Sequence, residues 1–259
     1  MEILFEVKNS TGIITLNRPN ALNALNLNMA VQFSNQLREW ENNNKIERVL
    51  LVGNGKHFCA GGDVKSVHLS GPFSKLKSEF FSKEYSLNLQ IKKFPKPYLS
   101  IWQGVVMGGG VGLSIYGDYR IATESTKFAM PETSIGFFPD VGGSFFLSRL
   151  DNNIGKYLGL TGELIQSKDL INFGLATNFC PEDKIDKLIT QYIIDGSVSN
   201  YETETSSNFS NAKLDFIKKN FSGDIYEIFN NIRALSDQEK LISKLQSKCP
   251  MSLAVTTLL

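Results

Sequence analysis

Cysteine is scarce in this chain: three residues in 259 (Cys59, Cys180 and Cys249), with no CxxC pair. That excludes a disulfide scaffold and the common zinc sites. So sparse and odd a set fits buried thiols in a reducing compartment. Net charge is nearly absent: 27 basic residues stand against 26 acidic, a formal +1. No global field therefore draws the protein to nucleic acid or to an anionic membrane. No targeting signal is expected at this start, since the chain opens on MEILFE and passes directly into alternating apolar residues. With no basic leader and no Arg-rich amphipathic stretch, this reads as a cytoplasmic start. The one uncharged stretch long enough to cross a bilayer, Pro97 to Gly117, holds six glycines and Gln103. It reads as a buried strand, a glycine turn and a buried helix, even with Gly104 and Gly108 at GxxxG spacing.

What is present is a sizeable core. Apolar residues make up 42% of the chain, and its length fits one large or two modest domains at about 150 residues each. Residues 2–7 and 12–17 alternate around Asn9, Ser10 and Thr11 and predict a hairpin. Leu27, Ala30, Val31, Leu37 and Trp40 recur at helical spacing, so a helix runs to about Asn42. Short apolar runs at 48–52, 98–102 and 119–122 predict strands, with a buried helix at 110–116. Strand–helix–strand alternation of this kind points to an α/β fold with parallel strands. Residues 1–195 are read as this core, 196–211 as a polar linker, and 212–259 as a helical C-terminal region. In that last region Ile225, Ile228, Phe229 and Ile232 form one apolar stripe, and Leu241, Ile242 and Leu245 a second.

Three blocks can carry chemistry. The first is GNGKHFCAGGD at 53–63. It lacks the GxxxxGK[ST] spacing of a P-loop. It reads either as a strand-to-helix turn with Asp63 at a helix N-terminus, or as a loop presenting free N–H groups to an anionic oxygen. The second is GVVMGGGVG at 104–112, which does not satisfy GxGxxG. It leaves a helix opening on glycines, either for close packing or for its unsatisfied N–H groups and dipole to meet an oxyanion. The third is MPETSIGFFPDVGG at 130–143, where Gly136 and Pro139 break any helix and place Glu132 and Asp140 on a shaped loop. Flanking Met130, Ile135, Phe137 and Phe138 can desolvate these carboxylates and raise their pKa values into a useful acid–base range. His57 and Cys59, two residues apart, have no third orienting group. Lys65, Lys92 and Lys93 read as solvated lysines, although the phosphates of a ligand could meet them.

The order of these blocks, together with LNRP at 16–19, resembles the crotonase (enoyl-CoA hydratase/isomerase) superfamily over roughly residues 3–190. The resemblance implies a spiral of ββα units followed by helices that assemble or close the site, an acyl-CoA substrate, and a thioester oxygen held by two backbone N–H groups. By position, Ala60 and Gly61 would lie along the bound CoA, with Ala60 at the adenine. Gly62 and Gly109 would supply the oxyanion amides, and Glu132 would match one of the two hydratase glutamates. The second such glutamate should stand at 112, where this chain has Gly112, and that argues against water addition by two glutamates. The third block and MGGGVGLS at 107–114 look most like the 3-hydroxyisobutyryl-CoA hydrolase branch of valine catabolism. There Glu132 and Asp140 belong to the site and Glu84 contacts substrate, although the charged stretch around Glu84 reads by default as solvated.

The expected activity is thus acyl-CoA thioester hydrolysis with no cofactor beyond the CoA of the substrate and no metal. The alternatives are an enoyl-CoA hydratase or isomerase and a non-catalytic acyl-CoA-binding protein. The resemblance further implies a homo-oligomer, a mitochondrial address as the counterpart to the cytoplasmic reading, and hydrolases whose chains run on past residue 259.

Overall fold

The computed structural model describes residues 1–203 and 206–258. Its strands are β1 Ile3–Lys8, β2 Thr11–Leu16, β3 Arg48–Gly53, β4 Tyr98–Trp102, β5 Val105–Met107, β6 Tyr119–Ala122, β7 Lys127–Ala129 and β8 Asn178–Phe179. Its α-helices are α1 Leu27–Glu41, α2 Val64–Leu69, α3 Leu76–Lys93, α4 Gly109–Gly112, α5 Gly143–Leu147, α6 Ile154–Thr161, α7 Ser167–Asn172, α8 Ile185–Asp195, α9 Asn211–Asn220, α10 Ile225–Arg233, α11 Glu239–Gln246 and α12 Pro250–Leu258. The hairpin and the three strands expected at 48–52, 98–102 and 119–122 are all present. The buried helix expected at 110–116 is the short α4.

Two compact units divide the chain: Met1–Phe128 with Gln166–Ser206, and Ala129–Ile165 with Ser207–Leu259. In the first, β1 and β2 pair antiparallel, with Ile3 opposite Leu16. Asn9 takes the left-handed turn position (φ +51), which Asn tolerates. From β2 onward the neighbours are parallel and the sheet order is β1-β2-β3-β4-β6-β8, with β5 and β7 forming a separate pair. Parallel neighbours need long crossovers, and helices supply them.

The register sets Ile13 beside Leu50 and Leu50 beside Leu99. Ile185, Leu188 and Tyr192, spaced along one side of α8, cover that row. The Tyr192 hydroxyl donates to the Val49 and Pro97 carbonyls, at 3.3 Å each. Trp40 of α1 presses on β2 so closely that a Cβ on Gly12 would fall 2.6 Å from its ring. Gly12→Ala is therefore expected to destabilise the protein by about 1–3 kcal/mol through overpacking, read as a lower melting temperature.

In the second unit, residues 129–165 cluster with the C-terminal helices. Tyr157 of α6 meets Phe209 and Phe221 edge-on. Its hydroxyl donates to Glu163 at 2.5 Å, which also receives Lys213 and Lys244 at 2.6 and 3.3 Å. The stripe on α10 buries Ile225, Ile228 and Ile232, and α11 buries Leu245. In the stretch read as a linker, residues 204 and 205 lie outside the described residues, as does Leu259 at the end of the last apolar run. Among the described residues no helix is long and apolar enough to cross a membrane.

Candidate active site

In the first unit the glycine loop after β3 is held from two sides. Cys59 bridges to β5, its N–H donating to the Val105 carbonyl (3.0 Å) and its carbonyl accepting from Met107 (3.0 Å). On the other side Ala60 donates to Leu22 (3.0 Å), Leu25 donates to the Gly61 carbonyl (2.8 Å), and Asp63 donates to Leu25 (2.7 Å). Arg18 braces this layer through Asp63 (2.9 Å), the Ala24 carbonyl (2.7 Å) and Glu2 (3.1 Å). Gly61 has φ +121, a conformation that suits glycine. Asp63 caps α2 by accepting from the Ser66 N–H, so one of its two readings holds. The same loop also leaves a free donor: among the described residues the Gly62 amide donates no hydrogen bond within the protein.

The second block ends β5 at Met107, turns at Gly108 (φ +46) and starts α4 at Gly109. As the first residue of a helix, Gly109 has no intrahelical acceptor for its N–H, and among the described residues it has no other. The two free amides are neighbours: a Cβ built on Gly109 would stand 2.9 Å from the Gly62 nitrogen and would overlap Glu84 Oε1. A Cβ on Gly62 would stand 2.9 Å from the Phe80 ring. Gly110 serves packing instead, because a Cβ there would overlap the Cys59 carbonyl.

Glu84 is 2% exposed, not the solvated carboxylate that its charged stretch predicts. The buried stripe of α3 runs Phe80, Glu84, Leu87, Asn88 and Ile91, and Phe80 and Glu84 border the two glycines. The nearby Cys59 is no nucleophile. Burial, with the charge of Glu84 adding to it, pushes its thiol up to about 12. His57 is spent on structure, its Nδ1 accepting from the Val105 N–H at 3.3 Å.

The second unit holds the carboxylates. Glu132 opens a 3₁₀ turn, Glu132–Ile135, closed by Gly136 at φ +78. The turn is tied down by Phe137 N–H to the Glu132 carbonyl (3.0 Å) and Cys249 N–H to the Thr133 carbonyl (3.0 Å). Lys248 adds a bond to Ser134 at 2.6 Å. Glu132 is 6% exposed, and its Oε2 has no hydrogen-bond partner among the described residues. Burial pushes its pKa from 4.5 up to about 8, partly opposed by its own backbone N–H, with the charge of Asp140 adding a smaller upward push. Asp140 accepts from the Gly143 N–H through its carbonyl (2.6 Å). It precedes Val141 at φ +44, an outlier for a β-branched residue and a strain of the kind that collects at functional sites. A cavity of about 340 Å³ in this unit, walled by Pro139, Leu147, Lys156 and Thr256 among others, includes neither Glu132 nor Asp140.

The structure therefore brings Gly62, Gly109 and Glu84 together in one unit, with Ala60 and Gly61 on the same loop, and Glu132 and Asp140 together in the other. Sequence reasoning passed over Asn88 and the strained Val141. The signal for Asn88 was its place one helical turn after Glu84. Among the described residues no group of three or more His, Cys, Asp or Glu could hold a metal ion.

Comparison with known proteins places the chain in one family. The family model described as enoyl-CoA hydratase/isomerase matches residues 11–259. The mitochondrial 3-hydroxyisobutyryl-CoA hydrolase of Danio rerio is 48% identical over 189 residues, covering 72% of this chain and 50% of that protein. The Homo sapiens protein of the same name is 39% identical over 277 residues, covering 98% and 71%. The chain thus spans between half and about seven-tenths of the length of these relatives. Among solved structures, a carnitinyl-CoA dehydratase from Mycobacterium thermoresistibile matches with a TM-score of 0.91 at 35% identity, covering 98% of this chain and 77% of that one. An enoyl-CoA hydratase from Rhodobacter sphaeroides matches with a TM-score of 0.92 at 34% identity, covering 99% and 77%.

Proposed function

Because the chain belongs to the enoyl-CoA hydratase/isomerase family, we propose that it hydrolyses an acyl-CoA thioester, with 3-hydroxyisobutyryl-CoA as its substrate. Its fold is the crotonase-like α/β spiral with helices at the C-terminal end. The observation that carries the proposal is the pair of adjacent, unused amides at Gly62 and Gly109. Two neighbouring N–H groups left free in this way suit a carbonyl oxygen that becomes an oxyanion. Gly112 supports hydrolysis over hydration, since the residue where a second hydratase glutamate would stand has no side chain to transfer a proton.

In the proposed reaction the Gly62 and Gly109 amides polarise the thioester carbonyl. The Glu132 carboxylate either attacks the carbonyl carbon to give an anhydride, which water then opens, or takes a proton from the attacking water. The C–S bond breaks in either route, and the thiolate leaves as CoA thiol after gaining a proton. Asp140 holds the substrate hydroxyl or delivers that proton. Glu84, Ala60 and Gly61 contact the substrate. Water is the only co-reactant, so no cofactor is required. The relatives' names carry the word mitochondrial, and we place the reaction in that compartment.

Both routes need Glu132 ionised, and its pKa lies near 8. The rate constant kcat/KM is therefore expected to rise about tenfold per pH unit below 8 and to level off above it. A profile that falls with pH across the same range would instead make Glu132 a proton donor. The direct test is thiol release across short acyl-CoAs, with 3-hydroxyisobutyryl-CoA and 3-hydroxypropionyl-CoA expected to turn over fastest. Loss of the crotonyl-CoA absorbance without thiol release would overturn the proposal in favour of hydration. Tight binding with no product would overturn it in favour of a binding protein.

A further inference from the structure

Asn88 is left over by this scheme. It is 5% exposed, and neither its Oδ1 nor its Nδ2 has a hydrogen-bond partner among the described residues. A buried carboxamide left unpaired destabilises a fold. Groups of this kind persist where an ordered water or a function accounts for them. A leucine of similar size would fill the space without that penalty, so the amide has a reason to be there.

Its position supplies one. Asn88 follows Glu84 by four residues on α3, in the same buried stripe. Side chains at that spacing are neighbours on a helix, about 5–6 Å apart at Cβ, a gap that a single water can bridge. Earlier in the same stripe, Phe80 and Glu84 border Gly62 and Gly109.

We infer that Asn88 is a positioning residue: through a buried water its carboxamide fixes the Glu84 carboxyl group beside the Gly62 and Gly109 amides. The inference rests on reading those amides as the thioester site. Asn88 touches no reacting atom. It narrows the rotamers of Glu84, so that the carboxyl group is already in place when the substrate arrives.

The test compares wild type, Asn88→Leu and Asn88→Ser by thermal melting and by calorimetric titration with a ketone analogue of 3-hydroxyisobutyryl-CoA. In the analogue a methylene replaces the sulfur, so it keeps the carbonyl and cannot be hydrolysed. Asn88→Leu is expected to melt at or above the wild-type temperature and to bind the analogue about tenfold more weakly, the loss typical of one hydrogen bond to a charged group. Asn88→Ser keeps a hydroxyl and leaves room for the water, so it should stay within about threefold of wild type. Wild-type affinity in Asn88→Leu overturns the inference. So does an equal loss in both variants, or a melting point several degrees lower in Asn88→Leu, which would mark the amide as structural. The parent reading fails differently: wild-type protein that binds the analogue but releases no thiol from the thioester refutes hydrolysis and leaves the Asn88 comparison readable. Wild-type protein that does not bind the analogue refutes both.

Discussion

Glu132→Gln is expected to lower thiol release from 3-hydroxyisobutyryl-CoA by about 10³-fold while the protein stays folded. Glutamine keeps the size and shape of the side chain, so the 3₁₀ turn at Glu132–Ile135 and its ties to Thr133 and Ser134 should survive. It can neither form an anhydride nor accept a proton from water. The same substitution carries a stability signature of known sign. The Glu132 pKa is about 8 in the folded protein against an ordinary 4.5. The fold therefore favours the protonated form: its contribution is fully present below pH 4.5 and is lost as the pH rises through 8. Wild-type protein should lose melting temperature across that window, and Glu132→Gln should lose less and melt higher at pH 9. Full turnover in a well-folded Glu132→Gln would remove Glu132 from the chemistry.

Gly109→Ala is expected to cost about 10²–10³ in kcat/KM, the effect of spoiling one oxyanion donor. The argument is one of volume. The Gly109 backbone is outside the left-handed region, so alanine meets no backbone strain there, and the space is what is missing. The added methyl would overlap Glu84 Oε1 and lie 2.9 Å from the Gly62 nitrogen, which is where the substrate oxygen belongs under the proposal. Gly110→Ala is the natural control. Its methyl would overlap the Cys59 carbonyl, main chain that cannot yield, so its principal effect should be on the melting temperature. Gly109→Ala with turnover within tenfold of wild type would show that the paired amides are not used.

Much of the first unit could be read from the chain. Alternation placed the hairpin, the short apolar runs marked β3, β4 and β6, and Asp63 announced the start of α2. The limits were physical. Gly108, Gly109 and Gly110 look alike in sequence, yet one makes the turn, one offers its amide and one packs against Cys59. That division depends on what lies opposite, which no local pattern encodes. Glu84 shows the same limit more sharply. Its neighbours Lys83 and Tyr85 suggest a solvated face, but the helical stripe through Phe80, Leu87 and Ile91 takes it inward. Clustering of residues 129–165 with residues 207–259 was also hidden, because no local pattern tells that a segment in mid-chain packs with one so far along it. The strained Val141 had no signal at all, since valine seldom occupies that conformation.

The proposed oxyanion cradle at Gly62 and Gly109 is built of peptide groups. No replacement at Gly62 or Gly109 except proline, which adds a ring, deletes the donor itself, so an alanine scan reports only the crowding that each new methyl creates. The donor can be removed without adding bulk only in the main chain, by exchanging one amide linkage for an ester, which takes away a single hydrogen and leaves the shape of the loop as it was.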